Sequence, residues 1–324
     1  LDIQRVIGYR NFCNKLWNAV KFGLMNLEGF SATQEEIEKL DVKTLALRDQ
    51  WILSKLSQTA AACNKSFEEY EFANVTTQTY NFWLYTLCDR YLEMIKPVIN
   101  GNDLEAKKKA QMTLFICLEY GLRLLHPLMP FITEELWQRV TARPGFKFPE
   151  SIMLASYPVE NPLWTNLGLE EKMELLDQMV QARSLKSDYN LTRKNNPTFY
   201  LAATDEETAS TLRELAADFK TLAQAGEVIV STDASFPHSC AVKHINTKVT
   251  VLVNLQGLVD FAQEITKLSN QLKDVQNRKE KLEGKMGVEA YVKVPEEIKQ
   301  GDAKKLEELK EEVKKIQDSI ERFK

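Results

Sequence analysis

The sequence predicts a mainly α-helical protein made of an antiparallel helix bundle, a small α+β subdomain and a C-terminal antiparallel coiled-coil hairpin. Glycine (12) and proline (10) are sparse in a chain of 324 residues, which favours long helices over β-hairpins. Apolar residues recur at helical spacing through the first half of the chain, and two heptad runs close it. Short β-branched segments lie between these regions and are typical of strands.

Residues 1–165 form the predicted helix bundle. Helical periodicity begins at Ile3, and the first helix is expected to end at Gly29, because glycine favours a helix end. Three further helices are predicted at about 45–63, 72–97 and 103–126. Since the connections between them are short, neighbouring helices are expected to run antiparallel.

The pattern changes after this bundle, and residues 166–257 are predicted to form the small α+β subdomain. A β-like run at 198–202 precedes a polar helix near 206–223, and three short β-branched runs follow. The last two runs flank Asn246-Thr247, which indicates a hairpin.

Residues 258–324 carry two apolar runs whose members alternate by three and four, the coiled-coil pattern. The first run extends from Leu258 to Met286 and the second from Leu306 to Phe323. Glycine and proline residues between the runs allow the chain to reverse, so an antiparallel hairpin is predicted. The hairpin has 15 basic and 15 acidic residues, so its net charge is zero and does not indicate RNA binding.

Composition excludes several classes of site. The formal charge is −4, so overall charge gives no support to nucleic-acid binding. No apolar run approaches the ~18 residues of a membrane span. Five cysteines without close pairs indicate free thiols in a reducing compartment, and three scattered histidines do not form a metal site. No phosphate-binding glycine loop or catalytic constellation is present, so neither catalytic residues nor a metal is predicted.

A polar stripe on the first helix is the one local feature that points to a binding site. The apolar face of this helix is assigned to residues including Val6, Trp17 and Val20, and Phe22 falls almost opposite that face. The neighbours of Phe22 on the helical wheel are Gln4, Asn11, Lys15 and Asn18. Such an aromatic either touches a neighbouring helix or stacks on an unpaired base, and the sequence leaves both interpretations open.

Five sequence motifs, in order, resemble the C-terminal part of class I aminoacyl-tRNA synthetases of the valyl type. The motifs are GYRNFCNKLWNAVKF (8–22), RDQWILSKL (48–56), CDRYLEMIKP (88–97), LLHPLMPFITEELWQ (124–138) and SIMLASYP (151–158). A KVPEEI element (293–298) lies within the link of the hairpin. The resemblance covers essentially the whole chain and is to the cytosolic eukaryotic type; an organellar form stays open.

The resemblance implies that the bundle is an anticodon-binding domain. It implies that Phe22 stacks on an anticodon base and that Leu92 contributes to the pocket. The family's basic residue near the start of the first helix aligns with Gln4, and Arg5 lies beside it.

The resemblance further implies that the hairpin is a coiled-coil arm that leans on the outer corner of the L-shaped tRNA. Lys281 and Lys305, with Arg278, are the implied contacts to the D- and T-loop region. The expected partner is tRNA(Val) or an RNA that mimics its L shape, bound by a monomeric chain. The catalytic and editing domains, and with them ATP, are expected upstream in the intact enzyme. This chain would therefore hold no cofactor.

Two alternative functions remain. The same architecture could serve another class I synthetase, such as the isoleucyl enzyme. The chain could also be a non-enzymatic scaffold whose coiled coil pairs with another protein.

Overall fold

The computed structural model describes residues 2–30, 32–192, 195–233, 236–237, 239–286 and 296–323. It divides into two compact units, Leu1–Asp177 and Gln178–Lys324. The structure confirms the predicted fold class of a mainly α-helical protein with a helix bundle and a small α+β part. In the described part of the chain no helix combines the length and the apolar character that crossing a membrane requires.

The first unit is a helix bundle. Its helices are α1 (Ile3–Asn26), α2 (Gln34–Glu38), α3 (Leu47–Glu68), α4 (Phe72–Asn81), α5 (Leu92–Ile99), α6 (Leu104–Leu125) and α7 (Pro130–Thr141), and α8 (Gly168–Val180) begins in this unit. Short 3₁₀ turns occur at Val42–Thr44 and Ile152–Leu154. Fully buried Trp51, Trp83 and Trp137 form much of its core.

Helix α6 is central to this bundle and is buried along most of its length. Its start is fixed locally, because the Asp103 carboxylate accepts hydrogen bonds from the backbone N–H groups of Glu105 and Ala106. Within the core, Tyr91 donates its hydroxyl proton to Asp49 over 2.7 Å, so the buried carboxylate has a hydrogen-bond partner.

The predicted third helix contains a feature that the sequence did not indicate. Between α4 and α5 the backbone widens into a π-helix, Phe82–Tyr91. The side chain of Trp83 in this stretch lies on α6 and donates a hydrogen bond from Nε1 to the carbonyl of Gly121 over 3.1 Å. A Cβ atom at Gly121 would lie 2.9 Å from Trp83 Cζ2, so only glycine allows this approach without movement.

The second unit contains a four-stranded mixed sheet of order β2-β1-β4-β3, with β1 (Thr198–Ala203), β2 (Glu227–Ser231), β3 (Cys240–His244) and β4 (Val249–Asn254). Strands β1 and β2 are parallel and are connected by helix α10 (Glu206–Ala223). One face of β1 packs on α10, where the rings of Phe199 and Phe219 are 5.4 Å apart. A 3₁₀ turn (Gln181–Arg183) and helix α9 (Ser184–Asp188) precede the sheet. The predicted hairpin at Asn246-Thr247 joins the antiparallel strands β3 and β4.

Two long helices, α11 (Phe261–Met286) and α12 (Glu296–Phe323), complete the second unit. They pack on each other through Val275, Leu309 and Ile316. Lys285 contacts Asp302 over 2.8 Å and Arg278 contacts Glu312 over 3.8 Å, so the two helices run in opposite directions. The link between them (287–295), which holds the start of the predicted KVPEEI element, lies outside the described residues.

Candidate nucleic-acid interface

Helix α1 concentrates positive charge within an otherwise acidic chain. Its 24 residues include Arg5, Arg10, Lys15 and Lys21 and not a single acidic residue. Residues 2–11 are all exposed, so the first half of the helix presents its side chains to solvent. The basic character of this helix is a sequence signal that the overall charge of −4 conceals.

The buried face of α1 differs from the face predicted from the sequence. The buried residues are Phe12, Leu16, Ala19, Val20 and Gly23. Of the apolar residues assigned to the core, Ile3 is 74% exposed, Val6 is 53% exposed and Trp17 is 40% exposed. The prediction of a buried Trp17 is therefore wrong.

Close helix packing explains this difference. A Cβ atom at Gly23 would lie 2.5 Å from Leu118 Cδ1 of α6, so the two helices approach each other where α1 has its smallest residues. The prediction used the large apolar side chains and gave no weight to Ala19 and Gly23. The true buried face is rotated by about 100°, or one residue, around the helix.

Phe22 consequently lies beside the buried face of α1 and not opposite it. Its side chain is half-buried, and the ammonium group of Lys96 in α5 lies 5.7 Å from the centre of its ring. Lys96 is within salt-bridge distance of Glu93 in the same helix. The ring of Phe22 is thus positioned by the bundle while part of it stays accessible.

Leu92, the second predicted pocket residue, is buried, with 6% of its surface exposed. It begins α5, directly after the π-helix, and precedes Lys96 by four residues on the same helix. Residues spaced in this way lie on one helical face. Leu92 therefore supports the helix that carries Lys96 and offers little direct contact surface.

The polar neighbours of Phe22 on the wheel divide into two groups. Lys15 forms an ion pair with Asp89 of the π-helix over 2.8 Å, which offsets its positive charge. The remaining predicted residues of this site are exposed: Gln4, Arg5, Asn11 and Asn18. The backbone N–H of Gln4 donates to Asp2, which caps the helix and leaves the Gln4 side chain out of the cap.

Two of the three predicted contacts on the helical hairpin lie opposite each other on its two helices. Lys281 of α11 and Lys305 of α12 are both exposed. The contacts Lys285–Asp302 and Arg278–Glu312 set the register of the two helices and place residues 281 and 305 across from each other. Arg278 is partly offset by Glu312, whereas the two lysines present point charges to solvent.

Other polar groups do not assemble into a reactive site in the described part of the chain. No group of three or more potential metal ligands occurs there. All five cysteines are free thiols, and burial raises the pKa of Cys88 to about 11, which keeps this thiol protonated at neutral pH. His126 lies between Thr133 and Met153 in the bundle, where it fills a structural position.

Sequence reasoning did not single out three basic residues near this interface. Arg10 and Lys21 are exposed on α1, and the absence of acidic residues from this helix could have indicated them from the sequence. Lys96 is distant from Phe22 in sequence, and only the folding of the bundle brings its ammonium group to the ring.

Comparison with known proteins finds relatives that match the whole chain. Residues 49–201 match the family described as the anticodon-binding domain of tRNA ligase. Valine–tRNA ligases of Mus musculus and Homo sapiens are each 40% identical over an alignment that covers 100% of this chain and 26% of each relative. The mitochondrial valine–tRNA ligase 1 of Arabidopsis thaliana is 36% identical over 96% of this chain and 29% of its own length. The chain is therefore similar from end to end to about a quarter of the length of these valine–tRNA ligases, and its residues 49–201 match the anticodon-binding domain family of tRNA ligases.

Proposed function

We propose that this chain is the tRNA-binding, non-catalytic part of an ATP-dependent valine–tRNA ligase and that its bundle recognises the anticodon of tRNA(Val). The observation that carries the proposal is a partly accessible aromatic ring, Phe22, on a helix with four basic and no acidic residues. Similarity to valine–tRNA ligases over the whole chain supports it.

The anticodon site is built around Phe22. Unpaired bases of an RNA loop stack on aromatic rings, and nearby cations neutralise the phosphates that flank them. Lys96 supplies one such cation at 5.7 Å from the ring, and the basic residues of α1 make the surface of this helix positive. Gln4, Asn11 and Asn18 add hydrogen-bonding groups that can contact base edges.

The second contact is made by the hairpin. We assign residues 1–165 to the anticodon-binding bundle, 166–257 to a junction subdomain and 258–324 to a coiled-coil arm that touches the outer corner of the tRNA. Lys281 and Lys305 act there through charge, with Arg278 near them. An arm of this kind senses phosphates and the shape of the RNA, so a folded RNA that copies the L shape also binds.

In the intact enzyme, tRNA held at these two remote sites has its 3′ end fixed near activated valine. Such binding accelerates a distant step only by holding the reacting groups in position. ATP and the catalytic residues belong to other parts of the enzyme, which acts in protein biosynthesis as a cytosolic monomer. The relatives include forms named mitochondrial, so the cytosolic location is part of the proposal.

The test is binding of the chain to tRNA(Val), to tRNA(Ile) and to tRNA(Val) carrying the isoleucine anticodon. We expect tRNA(Val) to bind most tightly and the anticodon swap to weaken it. Preference for tRNA(Ile) would instead favour the isoleucyl alternative, and absence of tRNA binding would favour the scaffold alternative. Valine-dependent pyrophosphate exchange by the isolated chain would contradict the assignment of a non-catalytic part.

A further inference from the structure

Four aromatic rings form a continuous row at the corner between α3 and α4. The ring centres of Tyr157 and Phe67 are 5.5 Å apart, those of Phe67 and Phe72 are 6.1 Å apart, and those of Phe72 and Tyr70 are 6.3 Å apart. The inner end is anchored, because the Tyr157 hydroxyl donates to the carbonyl of Leu124 over 3.1 Å. At the outer end Phe72 is 53% exposed and Tyr70 is 80% exposed. We call Phe67, Tyr70, Phe72 and Tyr157 the aromatic corner.

The backbone holds Tyr70 in a conformation that this residue type rarely adopts. Its φ of +58° is in the left-handed region, where glycine or asparagine usually ends a helix. The N–H of Glu71 donates to the carbonyl of Ser66 over 2.7 Å and closes the end of α3 around this residue. The chain thus carries a large ring at a position where glycine would be less strained, and the ring is in solvent.

Acidic residues flank Tyr70 in the sequence at the outer end of the aromatic corner. Glu68, Glu69 and Glu71 are all exposed. Lys65, 3.8 Å from Glu69, is the one basic residue in the sequence from 65 to 72. The charge of this surface is therefore opposite to that of α1, although both belong to the first unit.

We propose that the aromatic corner is a docking surface for an arginine- or lysine-rich protein segment. The cationic side chains of such a segment lie over the exposed rings of Tyr70 and Phe72, where the negative face of an aromatic ring attracts a cation. The carboxylates of Glu68 and Glu71 pair with further cations of the segment. Nucleic acid does not suit this surface, because the three carboxylates repel phosphate groups. The proposal is independent of the tRNA-binding role of α1.

The experiment titrates the 324-residue chain with a fluorescein-labelled octa-arginine peptide and follows fluorescence anisotropy. Tyr70→Gly is the decisive variant, because glycine is the favoured residue at this φ and the fold should melt at the same or a higher temperature. We expect this variant to bind the peptide about two- to fivefold more weakly, the effect of one exposed cation–π contact. The double variant Glu68→Gln/Glu71→Gln should weaken binding by a similar factor.

A matched control separates this surface from the overall charge. Glu207→Gln/Glu227→Gln removes the same charge from two exposed positions of the second unit, and we expect it to bind octa-arginine as the unchanged chain does. Equal weakening by both double variants, or unchanged binding by Tyr70→Gly, would overturn the proposal. So would loss of poly(U) binding in Tyr70→Gly, which would make the occupant an RNA, or loss of a dimer, which would make it a second copy of this chain.

Discussion

Two aromatic side chains of α1, Phe22 and Trp17, are partly accessible to solvent. Phe22 is half-buried with Lys96 near its ring, and Trp17 is 40% exposed with the guanidinium of Arg139 5.3 Å from its ring. They flank the buried face of α1 on opposite sides. Phe22 is proposed to stack on RNA and Trp17 is not, so the two residues can be compared by substitution.

Phe22→Ala should weaken binding of tRNA(Val) by about five- to 150-fold, because one base–aromatic stack contributes roughly 1–3 kcal/mol. The free energy of unfolding should fall by only about 1 kcal/mol, since a half-buried ring loses about half of its burial term. Filter binding and urea denaturation measure the two quantities.

Trp17→Ala is the matched control for this variant. It removes a larger ring from the other flank, and tRNA(Val) affinity should stay unchanged. If folded Phe22→Ala bound tRNA(Val) normally, the stacking role would be wrong; if Trp17→Ala alone lost affinity, the RNA would lie on the other flank.

His126 should make stability depend on pH. Burial lowers the pKa of its imidazole, and Glu134 opposes this effect only partly. The unfolded chain therefore takes up a proton at a higher pH than the folded chain. The free energy of unfolding should fall as the pH drops below about 6.5, by less than about 1.4 kcal/mol per pH unit from this group.

Urea denaturation between about pH 7.5 and pH 5.5 checks this dependence on either side of the usual histidine pKa. His126→Gln should flatten the loss of stability over this range, while His244→Gln, at an exposed position on β3, should keep it. The same slope in His126→Gln as in the unchanged chain would assign the pH dependence to other groups.

At the scale of helices and strands, glycines decide how closely helices approach. Gly121 of α6 faces the ring of Trp83, which is held in place by its own hydrogen bond to the Gly121 carbonyl. A Cβ atom added at Gly8 of α1 would meet no heavy atom within 4 Å, because this glycine faces open space. Gly121 therefore lies at a close helix contact, whereas Gly8 lies on an exposed helix surface.

Gly121→Ala should destabilise the bundle by about 1–3 kcal/mol, because the rigid indole ring must move to admit a methyl group. Gly8→Ala should stabilise α1 by about 0.5–1 kcal/mol, because alanine loses less backbone entropy in a helix. Thermal denaturation of both variants tests the packing, and a Gly121→Ala protein as stable as the parent would show that Trp83 is not tightly held.

The hairpin of α11 and α12 provides a second prediction at this scale. Lys281→Ala/Lys305→Ala should reduce the slope of log affinity for tRNA against log salt by up to roughly 1.8, at ~0.7–0.9 per phosphate contact. Circular dichroism should be unchanged, because both lysines are exposed. The control variant Lys220→Ala/Lys248→Ala removes the same charge from the α+β part and should leave the slope unaltered. An unaltered slope in the Lys281→Ala/Lys305→Ala variant would show that the hairpin does not contact the RNA.

At the scale of the whole molecule, the pairing of α11 with α12 predicts a monomer. The apolar side chains of Val275, Leu309 and Ile316 are covered by the partner helix of the same chain. A scaffold that pairs through its coiled coil would need these apolar side chains to pack against another chain. Sedimentation should therefore give a single monomeric species without RNA, and a dimer that persists on dilution would contradict this prediction.

Much of this molecule follows from local sequence. The sequence patterns of 103–126 and 206–223 correctly locate α6 and α10, because side-chain spacing acts within one or two turns. The two heptad runs likewise predict the pair α11 and α12. The basic character of α1 is also present in the sequence alone.

Tertiary structure decided which side of α1 is buried and what surrounds Phe22. Helix α6 packs against Gly23, and Ala19 is buried on the same face of α1; a pattern of large apolar side chains overlooks both residues. The π-helix and the position of Lys96 beside Phe22 depend on how the chain between α4 and α6 fits the core. Periodicity indicates that a helix has a buried side, but the shape of the neighbouring helix determines which side that is, because close packing rewards complementary surfaces and not hydrophobicity alone.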